Sequence, residues 1–183
     1  MWQRILLPIT LLVLGGCAGQ HDPDSPYYAI PPDTKITVRK PFRIPPGTAH
    51  VMFQNGKIAD SNKLNAVDYW YTNCRFEVRI RGDASQTIEP DTFSIRKIEN
   101  NNDPVSGRSV VNYYATFYLV PTKKTPHVLY LTCAQYDGPL DFDYPSIPQM
   151  RKAWGDYLDI LLPPGDEPGG TKGGNPGPDK AEG

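Results

Sequence analysis

The chain has 183 residues and a formal net charge of −1, from 19 basic and 20 acidic side chains. This is room for one domain rather than two. A balanced charge gives no concentrated basic surface of the kind that phosphate backbones require, so nucleic acid is not an expected partner. The 20 prolines, 16 glycines and 11 tyrosines favour short strands joined by turns over long helices.

Residues 1–4 end on the charged Arg4, and residues 5–14 are apolar apart from Pro8 and Thr10. About 20 apolar residues are needed to cross a bilayer core as a helix, so this shorter run fits the apolar region of a signal peptide, residues 1–16. Leu14, Gly15, Gly16 and Cys17 follow directly. This segment resembles the lipobox of bacterial lipoproteins, and Gly15 is its one less usual residue. The resemblance implies a diacylglyceryl group on the Cys17 thiol, cleavage just before Cys17, and a further acyl chain of the palmitate type on the new amine. With Ala18 rather than aspartate next, enterobacterial sorting implies the periplasmic face of the outer membrane. Two or more acyl chains anchor a protein durably.

Residues 17–33 comprise this cysteine and a tether, in which Pro23, Pro26, Pro31 and Pro32 favour extended backbone. From residue 34 to 162 the pattern is that of a β domain. In residues 35–44, Ile36, Val38, Phe42 and Ile44 share one face, and Pro41 marks an edge or bulge. Residues 49–53 form a second strand, with Asn55 and Gly56 at a tight hairpin turn before Ile58. Residues 60–66 are a polar loop. Residues 68–81 form the clearest strand: Cys74, Phe76, Val78 and Ile80 alternate with Arg75, Glu77, Arg79 and Arg81. Residues 86–98 form a fourth strand region broken near Pro90, and residues 100–108 a polar loop. Residues 109–120 alternate Val111, Tyr113, Ala115, Phe117 and Leu119 with Tyr114, Thr116 and Tyr118. In residues 127–136, Leu129, Leu131 and Cys133 are expected to point inward.

Ile147, Met150, Trp154, Tyr157, Leu158 and Leu161 recur at helical spacing after Ser146 as N-cap and Pro148 in the first turn. The sequence thus predicts a mainly all-β domain, an antiparallel sandwich or partly open barrel of about six to seven strands, with one C-terminal helix. Gly and Pro dominate residues 163–183, which have no large apolar side chain and are expected to be disordered.

With Cys17 lipidated, Cys74 and Cys133 are an even pair in an oxidising compartment and are expected to form a disulfide. His21, His50 and His127 lie in no hydrolase or zinc motif, no Gly-rich phosphate loop occurs, and no cofactor is expected. Asp137, Asp141 and Asp143 supply oxygen donors near Gly138 and Pro139, a weak candidate for a cation. A solvated loop before the helix is the plainer reading. The candidate binding surface is aromatic: Tyr69, Trp70, Tyr71, Tyr114 and Tyr118, together with Tyr113 in the same cluster, suited to a glycan or a protein contact. Arg75, Arg79 and Arg81 form a solvated face that also suits anionic headgroups. The expected role is non-catalytic: a lipid-anchored domain that binds another envelope component, protein or glycan, or assists assembly. A periplasmic metal-dependent hydrolase and a glycan- or lipid-binding module are the alternatives.

Overall fold

Period-two alternation sets the strands of the domain. The computed structural model describes residues 22–60, 63–107, 109–141 and 143–164. Its strands are β1 (Lys35–Val38), β2 (Phe42–Ile44), β3 (His50–Gln54), β4 (Lys57–Ile58), β5 (Asn73–Val78), β6 (Gln86–Ile88), β7 (Asp91–Pro104), β8 (Val111–Leu119), β9 (Val128–Asp137) and β10 (Leu158–Leu161). The helix α1 (Ile147–Trp154) and a 3₁₀ turn (Gly155–Tyr157) precede β10. Eight strands form one antiparallel sheet in the order β10-β1-β7-β8-β9-β5-β3-β4, and β2 pairs with β6 in a small second sheet. The large sheet curls into a half-barrel, so the expected antiparallel, mainly β architecture with a C-terminal helix holds. Ten strands form among the described residues, more than the expected six or seven.

The inward phase of the strands supplies one core. Phe42, Phe53, Phe76, Phe93 and Phe117 are buried, with Phe42 packed edge-on against Phe53 and Phe76 at 5.2 Å in each case. Each such ring taken from water contributes about 1.5–3 kcal/mol. Helix α1 closes this side with Ile147, Met150, Ala153 and Trp154, all buried. Its first turn is set by Pro148 and by the Ser146 backbone N–H, which donates to Gln149 Oε1 at 2.7 Å. Cys74 and Cys133 lie directly opposite each other on β5 and β9 and are joined by a disulfide in this core.

Several local expectations are corrected. The predicted polar loop at residues 100–108 begins as strand: Asn100 to Pro104 continue β7 and pair with Val111 to Ala115. Backbone pairing with the long β8 decides this, since the ladder is indifferent to polar side chains. The helix expected to run on to Leu161 stops at Trp154, because Gly155 adopts φ 57° and ψ −133°, and Leu158 to Leu161 turn into β10 beside β1. Leu158 fits the helical stripe but also, with Ile160, a two-residue period, and pairing selects the latter. The strand expected at residues 68–81 is confined to β5; Arg79 and Arg81 lie beyond it, and Ile80 is 44% exposed rather than inward. Leu129 is the extra residue of a bulge opposite Glu77 and Val78, so Val128 takes the buried place expected for it. In the segment expected to be a tether, Tyr28 is buried and Ile30 packs on the core.

Candidate functional site

The same alternation that fills the core puts a second set of side chains on the other face of the sheet, and on β7, β8, β9, β5 and β3 this face is open. Cross-strand registers order it into rungs. The first runs Lys97, Tyr118, Tyr130, Glu77, His50; the next, Glu99, Thr116, Thr132, Arg75, Met52. Then come Asn101, Tyr114, Ala134, Asn73, and finally Asp103, Asn112, Tyr136. The middle of this array is low, because Thr116, Thr132 and Ala134 are small. A groove of about 540 Å³ lies over it, lined also by His50, Tyr69, Arg75, Asp103, Tyr114, Tyr118 and Tyr130.

A second hollow of about 970 Å³ shares His50, Met52 and Tyr69 with the groove and extends along the chain between β4 and β5. Its aromatic wall is a turn placed by one buried amide. Gln54 Nε2 donates to the Asp68 carbonyl at 2.6 Å and the Tyr71 carbonyl at 3.1 Å, and its Oε1 accepts from the Asp68 N–H at 2.9 Å. The Trp70 N–H donates to Asp68 Oδ1, and the Tyr136 N–H donates to the Tyr69 carbonyl at 2.7 Å. Tyr69 therefore stacks on Tyr136 at 5.3 Å, while Trp70 meets Tyr136 edge-on at 6.1 Å. Tyr69, Trp70 and Tyr71 remain 47%, 56% and 64% exposed.

Four charges of the open face pair with one another. Arg75 Nε lies 3.2 Å from Glu77 Oε2, and the Tyr130 hydroxyl donates to Glu77 Oε1 at 2.8 Å. Lys97 pairs with Glu99, which also accepts from the Tyr118 hydroxyl at 2.7 Å. Burial, then the hydrogen-bonded Glu77, raises the Tyr130 pKa. For Tyr114 burial leads and Asp103 follows, and for Tyr118 the bond to Glu99 leads, again upward. Burial, with help from Arg75, lowers the His50 pKa. At neutral pH the groove thus presents neutral hydroxyl and imidazole groups between aromatic walls, beside the paired Arg75 and the Asp103 carboxyl.

Of the predicted aromatic surface, Tyr69, Tyr114 and Tyr118 come together in the groove and Trp70 extends it. Tyr71 instead faces a smaller hollow of about 310 Å³ with Asp137 and Asp143, and Tyr113 is buried in the opposite phase. Tyr130 and Tyr136 were not singled out from the sequence, although the period of β9 places both outward; Gln54 carries no sequence signal beyond its turn. The Asp loop is drawn inward by Gln135, whose Nε2 donates to the Asp143 carbonyl at 3.0 Å and to Asp143 Oδ2 at 3.2 Å. Burial, then the neighbouring Asp137, raises the Asp143 pKa. Among the described residues no group of three or more His, Cys, Asp or Glu side chains has a geometry that could hold a metal ion. His50 is half-buried and His127 exposed, whereas His21, Cys17, residues 1–16 and residues 165–183 lie outside the described residues.

Comparison with protein-family models, with curated proteins and with solved structures finds no match to this chain.

Proposed function

We propose that this protein is a lipid-anchored envelope protein whose β domain has a non-catalytic binding role on the periplasmic face of the outer membrane. The anchor rests on the lipobox-like residues Leu14 to Cys17, and the buried Cys74–Cys133 disulfide suits an oxidising compartment. The observation that carries the binding role is the open face itself. Five strands present a walled groove with aromatic rings exposed beside it, on the side of the sheet away from the core. Large exposed rings around a concavity mark binding surfaces. The Asp137–Asp143 pair, the place a metal-dependent hydrolase would use, has its carboxyls engaged with each other and with Gln135.

The test uses the full chain in its native host, with a photo-crosslinking side chain at Tyr114 or Thr132, or at Glu89 as an exposed control outside the groove. Groove positions are expected to give discrete crosslinked species in the outer-membrane fraction, and Cys17→Ala to abolish both the lipid-sized mass increment and that fractionation. Equal crosslinking from Glu89, or an unlipidated soluble protein, overturns the binding role or the anchor respectively.

A further inference from the structure

Resting on that reading of the groove, we infer that its ligand is an uncharged, extended glycan chain. A sugar ring offers flat C–H faces and an edge of hydroxyls, so its site needs exposed aromatic faces, mixed donors and acceptors between them, and no surplus charge. The groove has the aromatic faces and the donors and acceptors, and the one acidic side chain in its lining, Asp103, is hydrogen-bonded to Tyr114. Tyr118 and Tyr130, 6.0 Å apart, wall one end, and Tyr69, Tyr136 and Trp70 wall the other. Between them the floor is Thr116, Thr132 and Ala134, low enough for a ring to lie down, with hydroxyl groups pointing up. Asp103 and Asn112 flank it, and the Asn112 Oδ1 has no hydrogen-bond partner among the described residues. From the rung of Tyr118 to the rung of Asn112 is six strand positions, roughly 20 Å at about 3.3 Å per residue. That length suits a chain of several sugars rather than one.

Other ligand classes match less well. Of the cations on the groove's rungs, Arg75 is paired with Glu77 and Lys97 with Glu99, and Asp103 adds a carboxyl that would oppose an anionic headgroup or a nucleic acid. A peptide adding as a strand needs a free backbone edge, whereas this is a sheet face whose backbone groups pair between neighbouring strands. An acyl chain needs an enclosed apolar cavity, and here threonine hydroxyls form the floor.

The experiment titrates the full chain, held in detergent micelles, with neutral hexasaccharides of glucose, mannose and N-acetylglucosamine, with hexagalacturonate, and with phosphatidylglycerol vesicles. Calorimetry gives affinity, and tryptophan fluorescence follows Trp70. At least one neutral hexasaccharide is expected to bind, at least tenfold more tightly than its disaccharide. Tyr118→Leu and Trp70→Leu should each weaken it by about tenfold, one stacked ring's share, while leaving thermal unfolding in place. Binding of none of the neutral chains, a preference for hexagalacturonate or the vesicles, or affinity untouched by both variants overturns the glycan inference. If crosslinking from Tyr114 still captures a protein in that event, the binding role stands and the ligand class is wrong; if it captures nothing, the binding role falls too.

Discussion

Replacing Gly155 by alanine tests a place where two turns are packed backbone to backbone. Helix α1 must end there so that β10 can reach β1, and Gly155 does so at φ 57° and ψ −133° while its N–H donates to the Arg151 carbonyl. A Cβ at this position would stand 2.6 Å from the Gly56 Cα, and Gly56 is itself at φ 73° in the β3–β4 turn. Gly47 provides the control: its φ is 70°, yet an added Cβ would meet nothing within 4 Å. A non-glycine residue in left-handed backbone costs about 1–2 kcal/mol, and Gly47→Ala should cost that alone. Gly155→Ala adds the displacement of the hairpin and the bond from Gly56 N–H to the Ala153 carbonyl, now 3.0 Å, which is about 1 kcal/mol for the bond and as much again for the backbone contact. The expected loss is about 3–4 kcal/mol, a fall in Tm of roughly 6–16 °C for a chain of this size. Denaturant unfolding followed by the fluorescence of buried Trp154 measures both variants. A Gly155→Ala loss within 1 kcal/mol of the Gly47→Ala loss refutes the close approach.

The disulfide closes a separation of 59 residues, so Cys74→Ala with Cys133→Ala should lower stability by about 4 kcal/mol on the chain-entropy estimate; calorimetry showing a loss below 1 kcal/mol contradicts that. Gln54→Leu strands the Asp68 N–H and takes one of two donors from each of the Asp68 and Tyr71 carbonyls, which keep the Tyr71 N–H and Asn73 Nδ2, at about 2 kcal/mol. Hydrogen exchange should speed up first at Asp68 and Tyr71, and unchanged exchange there would show that the aromatic turn stands without Gln54. Asp143 binds its proton more tightly folded than unfolded, because burial and then Asp137 raise its pKa. Its contribution is therefore whole below the unfolded pKa and lost as pH rises through the folded one. Asp143→Asn should accordingly gain Tm over wild type by more near neutral pH than in mildly acid buffer, and a gap independent of pH removes the assignment.

The functional reading turns on the two phases of one alternation. Cys74, Phe76, Leu131, Cys133 and Phe117 face the core, and their neighbours Arg75, Glu77, Tyr130, Thr132 and Thr116 face the groove. A one-residue slip of register would exchange the two faces, so the disulfide that pins Cys74 opposite Cys133 also holds the groove's rungs in line.

The amino-acid pattern by itself determined the β character, the hairpin at Asn55 and Gly56, the helix start at Ser146, the pairing of Cys74 with Cys133 and the outward phase of Tyr114 and Tyr118. These follow from periods of two or of 3.6 and from turn chemistry, which act over a few residues. The tertiary structure decided what competes on that scale. Leu158 satisfies both periods, and the free edge of β1 drew it with Ile160 into β10; Asn100 to Pro104 read as loop until β8 offered them a ladder. The groove, too, exists only after folding. Tyr69 and Tyr136 are far apart in sequence and meet because Gln54, on a third strand, fixes the turn that carries Tyr69, and such contacts depend on sheet order, to which local periodicity is blind.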